Sequence, residues 1–151
     1  MDEQEKQDRQ LIELLNELRI ALPGVQFLFA FLLTAPFAQG FRRINATEKA
    51  LFYAALLCTT LSTICLIAPS ATHRLRFHQG DRKYVIETAH RYTIAGLGFL
   101  AIAIVLALVM ITDVLYNGAA IFAFPAAIAL LLVGVWFARP LLRGRGENAS
   151  R

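Results

Sequence analysis

The chain has 151 residues, 57% of them hydrophobic and 17% charged, with a mean hydropathy of +0.53 and a formal net charge of +4. The charges are segregated: Ile20–Phe41, Ala50–Thr72 and Thr93–Ala138, stretches of 22, 23 and 46 residues, together hold a single charged side chain, Asp113. Helices of a water-soluble domain show a polar face every turn, so this pattern excludes an ordinary soluble domain and reads as a multi-pass membrane protein.

The first 19 residues are polar, with six acids and three bases. A secretory leader opens on a short basic region followed at once by an apolar run, so the first apolar stretch is expected to be a retained span in a chain that starts near Met1. Leu11, Leu14, Leu15, Leu18 and Leu22 share one helical stripe while Glu13, Asn16, Glu17 and Arg19 face away. This predicts an amphipathic helix on the cytoplasmic face that ends where the chain turns into the bilayer at Pro23-Gly24. Its acidic polar face attracts anionic lipid weakly, which favours a protein partner, or the chain's own cytoplasmic loop, for the leucine stripe.

The first predicted span is about Ile20–Phe41, bent by Pro23 and Pro36 and marked by Gln26, Thr34 and Gln39. The second, about Ala50–Thr72, clusters Thr59, Thr60, Ser62 and Thr63, whose hydroxyls are expected to bond back along the helix or to join neighbours. Cys58 and Cys65 lie two turns apart on it, too far to pair, and read as small apolar core residues. The 46-residue stretch is too long for one crossing. Tyr116-Asn117-Gly118 divides it into a third span near Thr93–Leu115 and a fourth near Ala119–Ala138.

Twelve of the fifteen Lys and Arg residues lie in the N-terminal segment, in the loop after span two and in the C-terminal tail; only Arg42, Arg43 and Lys49 lie on the opposite side. The positive-inside rule therefore predicts both termini in the cytoplasm, which an even number of spans requires. Tyr53 and Tyr116 near the outer ends and Tyr92 and Trp136 near the inner ends suit the interfacial belts. The inner loop, His73–Tyr92, contains Gly80-Asp81, a helix-start signal that lets span three begin below the membrane. Its basic residues are explained by topology and phospholipid contact, with no nucleic-acid partner implied. His73 and Arg74 are candidate lipid or partner contacts.

Asp113 is the one ionisable group inside an apolar stretch, and such a group is a candidate site for ion pairing or proton exchange. It falls about one turn before the Tyr116-Asn117-Gly118 break, within reach of Arg42 or Arg43 at the outer end of span one. Ala119, Ala123 and Ala127 form a small-residue ladder in span four, with a shorter one at Ala103 and Ala107 in span three, suited to close helix approach. The spacing of His, Cys and acidic residues contains no CxxC, HExxH or phosphate-cradling loop, and His73, His78 and His90 all belong to the inner loop. No cofactor, metal site or enzymatic activity is expected.

The segments ELLNELRIALPGVQFLFAFLLTAPF (Glu13–Phe37), IAPSATHRLRF (Ile67–Phe77) and TDVLY (Thr112–Tyr116) give the chain a further character. It resembles, from Leu14 to Pro140, a family of small bacterial four-span membrane proteins of uncharacterised function. Some members carry an automatic label of sodium:proton antiporter. The resemblance implies a bacterial inner-membrane location and carries no catalytic role onto any residue.

The predicted architecture is thus all-α: a polar segment with an amphipathic helix over 1–19, a four-helix transmembrane bundle over 20–138 and a basic tail over 139–151. Two functions of different class fit it. One is a non-catalytic accessory or scaffolding subunit that associates with other membrane proteins or with itself. The other is a small secondary transporter of protons or monovalent cations with Asp113 as the titrating group.

Overall fold

A computed structural model describes residues 3–76, 82–116 and 118–138, which are helical throughout their regular parts, with no strand among them. The long helices are α1 (Glu3–Thr34), α2 (Ala46–Arg76) and α3 (Arg82–Leu115); a shorter α4 (Ala120–Val133) runs into a π-helical turn at Gly134–Ala138. Three segments are long and apolar enough to cross a membrane: Asn16–Phe37, Ala46–Thr72 and Ile86–Leu115. The fourth apolar stretch, Ile121–Trp136, is shorter.

The helix ends follow from local chemistry. α1 stops before Pro36, whose ring lacks the N–H the next turn needs, and the chain continues as 3-10 turns at Ala35–Phe37 and Gln39–Arg43. The Thr34 hydroxyl donates to the carbonyls of Ala30 (3.2 Å) and Phe31 (2.9 Å), the second of them among the four acceptors at this helix end. The second turn folds back on α2 through Phe41, whose ring meets Phe52 edge-on at a centroid distance of 4.8 Å.

α2 starts four residues earlier than the loss of charge suggests, because Asn45 and Glu48 form a capping box. The Asn45 backbone N–H donates to Glu48 Oε2 (2.6 Å) and the Glu48 N–H donates to Asn45 Oδ1 (2.9 Å). α3 begins at Arg82, directly after Asp81; the expected start at Gly80-Asp81 itself lies outside the described residues. α3 ends at Leu115, and Gly118 follows at φ +79°, a conformation in which a Cβ would clash with the backbone.

A spacing of seven organises the packing. On α2 the buried positions are Glu48, Phe52, Ala55, Thr59, Ser62, Leu66 and Pro69, alternating by four and three residues. On α1 they are Leu18, Val25 and Leu32; on α3, Ala89, Gly96 and Ala103, with Thr112 buried outside the repeat; on α4, Pro125 and Leu132. A strict seven-residue repeat drifts by about 20° per heptad on a straight helix, so helices that keep the seam in contact must wind around each other with a left hand. α2 buries two positions per heptad because it has neighbours on two sides, α1 and α3.

The closest pair is α2 with α3. Five residues separate these helices and their middles are bonded, so they run antiparallel: the Ser62 hydroxyl donates to the Gly96 carbonyl at 2.7 Å. Seven residues away in either direction, that register sets Ala55 level with Ala103 and Pro69 level with Ala89. Small residues thus recur in every layer where the two backbones approach. Leu66 closes one end of the three-helix unit against Leu18 and Val25 of α1, with Leu22 and Leu100 beside them. At the other end Leu32, Phe52 and Ala55 pack with Leu28, Leu106 and Met110.

Two expectations are corrected. α1 is one continuous helix through Pro23-Gly24, with no separate amphipathic helix and no turn between them. Pro23 frees only the carbonyl of Arg19, an exposed residue at the junction of the polar and apolar halves, where the missing bond costs little. The four helices also do not close a bundle: among the described residues α4 packs on α3 alone and does not touch α1 or α2. The turn at Gly118 sets α4 beside α3, while the small-residue face of α3 that would admit it to the interior is already taken by α2.

Candidate functional site

Polar groups at span depth divide into two kinds. The hydroxyls of Thr59, Thr60, Thr63, Thr72, Thr93 and Thr112 each donate to the carbonyl four residues earlier, at 2.7–2.9 Å. Such bonds satisfy the hydroxyl inside its own helix and commit it to no neighbour. Ser62, with no exposure, is the one described hydroxyl that crosses to another helix. No buried side-chain N or O atom among the described residues lacks a partner.

Asp113 is half-buried on the last turn of α3, next to Thr112, whose hydroxyl is committed to Leu108. The only ion pair among the described residues is Arg9 with Glu13 (3.3 Å), an exposed contact one turn apart, worth about 0.3–0.5 kcal/mol. Arg42 and Arg43 are exposed and make no ion pair with Asp113. Near this end, α3 and α4 enclose an apolar cleft of about 360 Å³ lined by Leu108, Ile111, Thr112, Leu115, Tyr116 and Phe124. Asp113 does not line it. Among the described residues no group of three or more His, Cys, Asp or Glu side chains is placed to hold a metal ion.

The candidate contact residues separate as well. Leu18 is buried between α1 and α2, so that member of the leucine stripe is used within the chain. Leu11, Leu14 and Leu15 lie on α1 and His73 on α2, but their side chains are outside the described residues, as is His78 altogether. Arg74 and His90 are exposed. Ala119, Ala123 and Ala127 are all exposed, so this ladder faces away from α3, whereas Ala103 of the shorter ladder is fully buried.

The residues that join the helices most closely, Ser62 and Gly96, are not singled out by the alanine ladders. Their signal is the seven-residue recurrence of small residues in α3 facing a three-and-four recurrence in α2. It stands out only when the two patterns are laid antiparallel.

These observations define a class: a protein whose described residues are all-helical, with three helices among them long and apolar enough to cross a membrane and a fourth, shorter apolar helix packed on one of them. Within that class the chain belongs to a particular family, since its residues 2–140 match the family described as "Family of unknown function (DUF6328)". This agrees with the resemblance to an uncharacterised family. No curated protein and no solved structure matches the chain.

Proposed function

We propose that the protein is a non-catalytic multi-pass protein of the bacterial inner membrane, with four crossings and both termini in the cytoplasm. It serves as an accessory or scaffolding subunit in an assembly with other membrane proteins or with copies of itself. The observation that carries the reading is the one-sided packing of α4. Among the described residues this helix uses α3 as its single helical neighbour and, with Ala119 ahead of its first turn, turns Ala123 and Ala127, together with Phe122 and Leu130, outward. A ladder of small residues gains little from disordered acyl chains and much from a helix that can approach it closely, so a protein surface suits this face better than lipid alone.

Purification of the full-length protein in mild detergent is expected to bring down stoichiometric partners or a defined homo-oligomer. A clean, stable monomer overturns the reading. The orientation is checked independently with a reporter active only in the cytoplasm, fused after Arg151 or inserted after Lys49. Activity is expected from the Arg151 fusion alone, and equal activity at both positions removes the four-crossing arrangement.

A further inference from the structure

Gln26 lies seven residues after Arg19, the last charged residue ahead of the apolar half of α1, and eight before Thr34, where the helix ends. At about 1.5 Å per residue this is roughly 10 Å inside either end of the apolar part of the helix, well within a hydrocarbon layer about 30 Å thick. The side chain is exposed, and no hydrogen bond to its amide is present among the described residues. It is too short to reach the headgroups from that depth. An amide left unbonded in hydrocarbon costs several kcal/mol, so a span that places one outward requires a polar neighbour there.

The surrounding surface suits a helix at close range. Pro23, Gln26, Ala30 and Leu33 are all exposed and spaced by three, four and three residues, which aligns them on one stripe with compact side chains on both sides of the amide. The core contact of α1 runs through Leu18, Val25 and Leu32, about 100° around the helix from Gln26, so a neighbour on the stripe leaves the three-helix unit undisturbed.

Resting on the membrane reading above, we propose that a second copy of this chain docks along the Pro23–Gln26–Ala30–Leu33 stripe of α1, with the two Gln26 amides hydrogen-bonded to each other inside the hydrocarbon layer. The choice of occupant follows from symmetry and from the chemistry of the group. Copies inserted with the same orientation are related by a two-fold axis along the membrane normal, which makes their α1 helices parallel and sets equivalent residues at equal depth. A carboxamide both donates and accepts, so a pair of them satisfies each other. A partner of different sequence would need its own polar group at this depth, whereas a second copy carries one already.

The test uses the full-length protein in native membranes, with Cys58→Ala and Cys65→Ala removing the endogenous thiols. Ala30→Cys in that background is expected to give a disulfide-linked dimer on mild oxidation, whereas Phe31→Cys, exposed at the same depth on another face, is not. Adding Gln26→Leu is expected to weaken self-association about tenfold, as loss of an intramembrane hydrogen-bonded pair does, with Gln26→Asn retaining most of it. Thermal melting of Gln26→Leu, and of Gln26→Ala beside it, checks that the monomer is intact.

Undiminished Ala30→Cys cross-linking in the Gln26→Leu and Gln26→Ala backgrounds overturns this inference. So does the absence of cross-linking in a preparation that brings down other proteins stoichiometrically, and both results leave the accessory-subunit reading standing. A stable monomer with neither cross-linking nor partners removes both.

Discussion

Gly96→Ala is expected to destabilise the helical unit by about 1–2 kcal/mol, against the usual effect of replacing a helical glycine by alanine, which is a gain of about 0.5–1 kcal/mol. The sign is decided by space. A Cβ at Gly96 would stand 2.7 Å from Leu66 Cγ, 2.8 Å from Leu66 Cδ2 and 3.3 Å from Cys65 Cβ. Leu66 has no exposed surface and is held by Leu18 and Val25, so it has no free rotamer to retreat into. The helices must therefore separate, which also stretches the Ser62–Gly96 bond.

Gly96→Leu is expected to cost about 3 kcal/mol or more for the same reason. Gly98, two residues on, has nothing within 4 Å of an added Cβ, so Gly98→Ala serves as the control and is expected to raise stability slightly. Ser62→Ala, which removes the bond without forcing the helices apart, is expected to lose only about 0.6 kcal/mol. Thermal melting of the purified protein reads all four. A fall in apparent Tm of roughly 5 °C is expected for Gly96→Ala, and the loss from Gly96→Ala is expected to be smaller when measured in a Leu66→Ala background than in the parent. If Gly96→Ala melts at or above the parent, α2 and α3 do not approach this closely.

The second large effect is expected at the start of α2. Glu48 is 8% exposed, accepts the Asn45 N–H and offers its own N–H to the Asn45 side chain. Its carboxylate also lies at the N-terminal end of the helix, where the aligned peptide dipoles favour negative charge. Glu48→Ala removes the acceptor from the Asn45 N–H and leaves a gap beside the first buried turn, at an expected cost of about 1–2 kcal/mol. Glu48→Gln keeps the reach and one acceptor oxygen and is expected to lose about half as much. Hydrogen exchange over Thr47–Leu51 distinguishes this from a general loosening, since protection should fall there first. Unchanged exchange in that turn together with an unchanged Tm would remove the capping role.

The two sites differ in how legible they are in the amino-acid order. The capping box is local: an Asn three residues before a Glu at the head of an apolar run is visible in Asn45-Ala46-Thr47-Glu48, and reading only for loss of charge places the helix start four residues late. The break after Tyr116 is local too, because only glycine adopts φ +79° without strain. The close approach at Gly96 is not local. Gly96 and Gly98 sit in the same apolar run of α3, and nothing near either one indicates that the first faces Leu66 and the second open space.

α1 shows how a sound local signal is overridden. Pro23-Gly24 is a strong helix breaker in water, and a turn is the natural expectation there. The helix continues because it loses a single hydrogen bond at an exposed carbonyl, while a turn at that depth would leave several backbone groups without partners. Arg42 and Arg43 illustrate the converse. Charge scarcity suggests a pair with Arg42 or Arg43, but these residues remain exposed on the turn that packs Phe41 against Phe52, and no ion pair forms between them and Asp113.

What the sequence by itself determined is the set of apolar helices and most of their limits, because hydropathy, capping and glycine or proline geometry act through each residue's own backbone and its immediate solvent. Only the tertiary structure decided which faces meet: α2 at the centre with two buried seams, α3 close against it through Ser62 and Gly96, α4 set apart on α3, and Gln26 turned outward. Among helices that are apolar all round, burial from water no longer distinguishes one face from another. The choice passes to backbone approach distance and hydrogen-bond pairing, which are properties of two helices together.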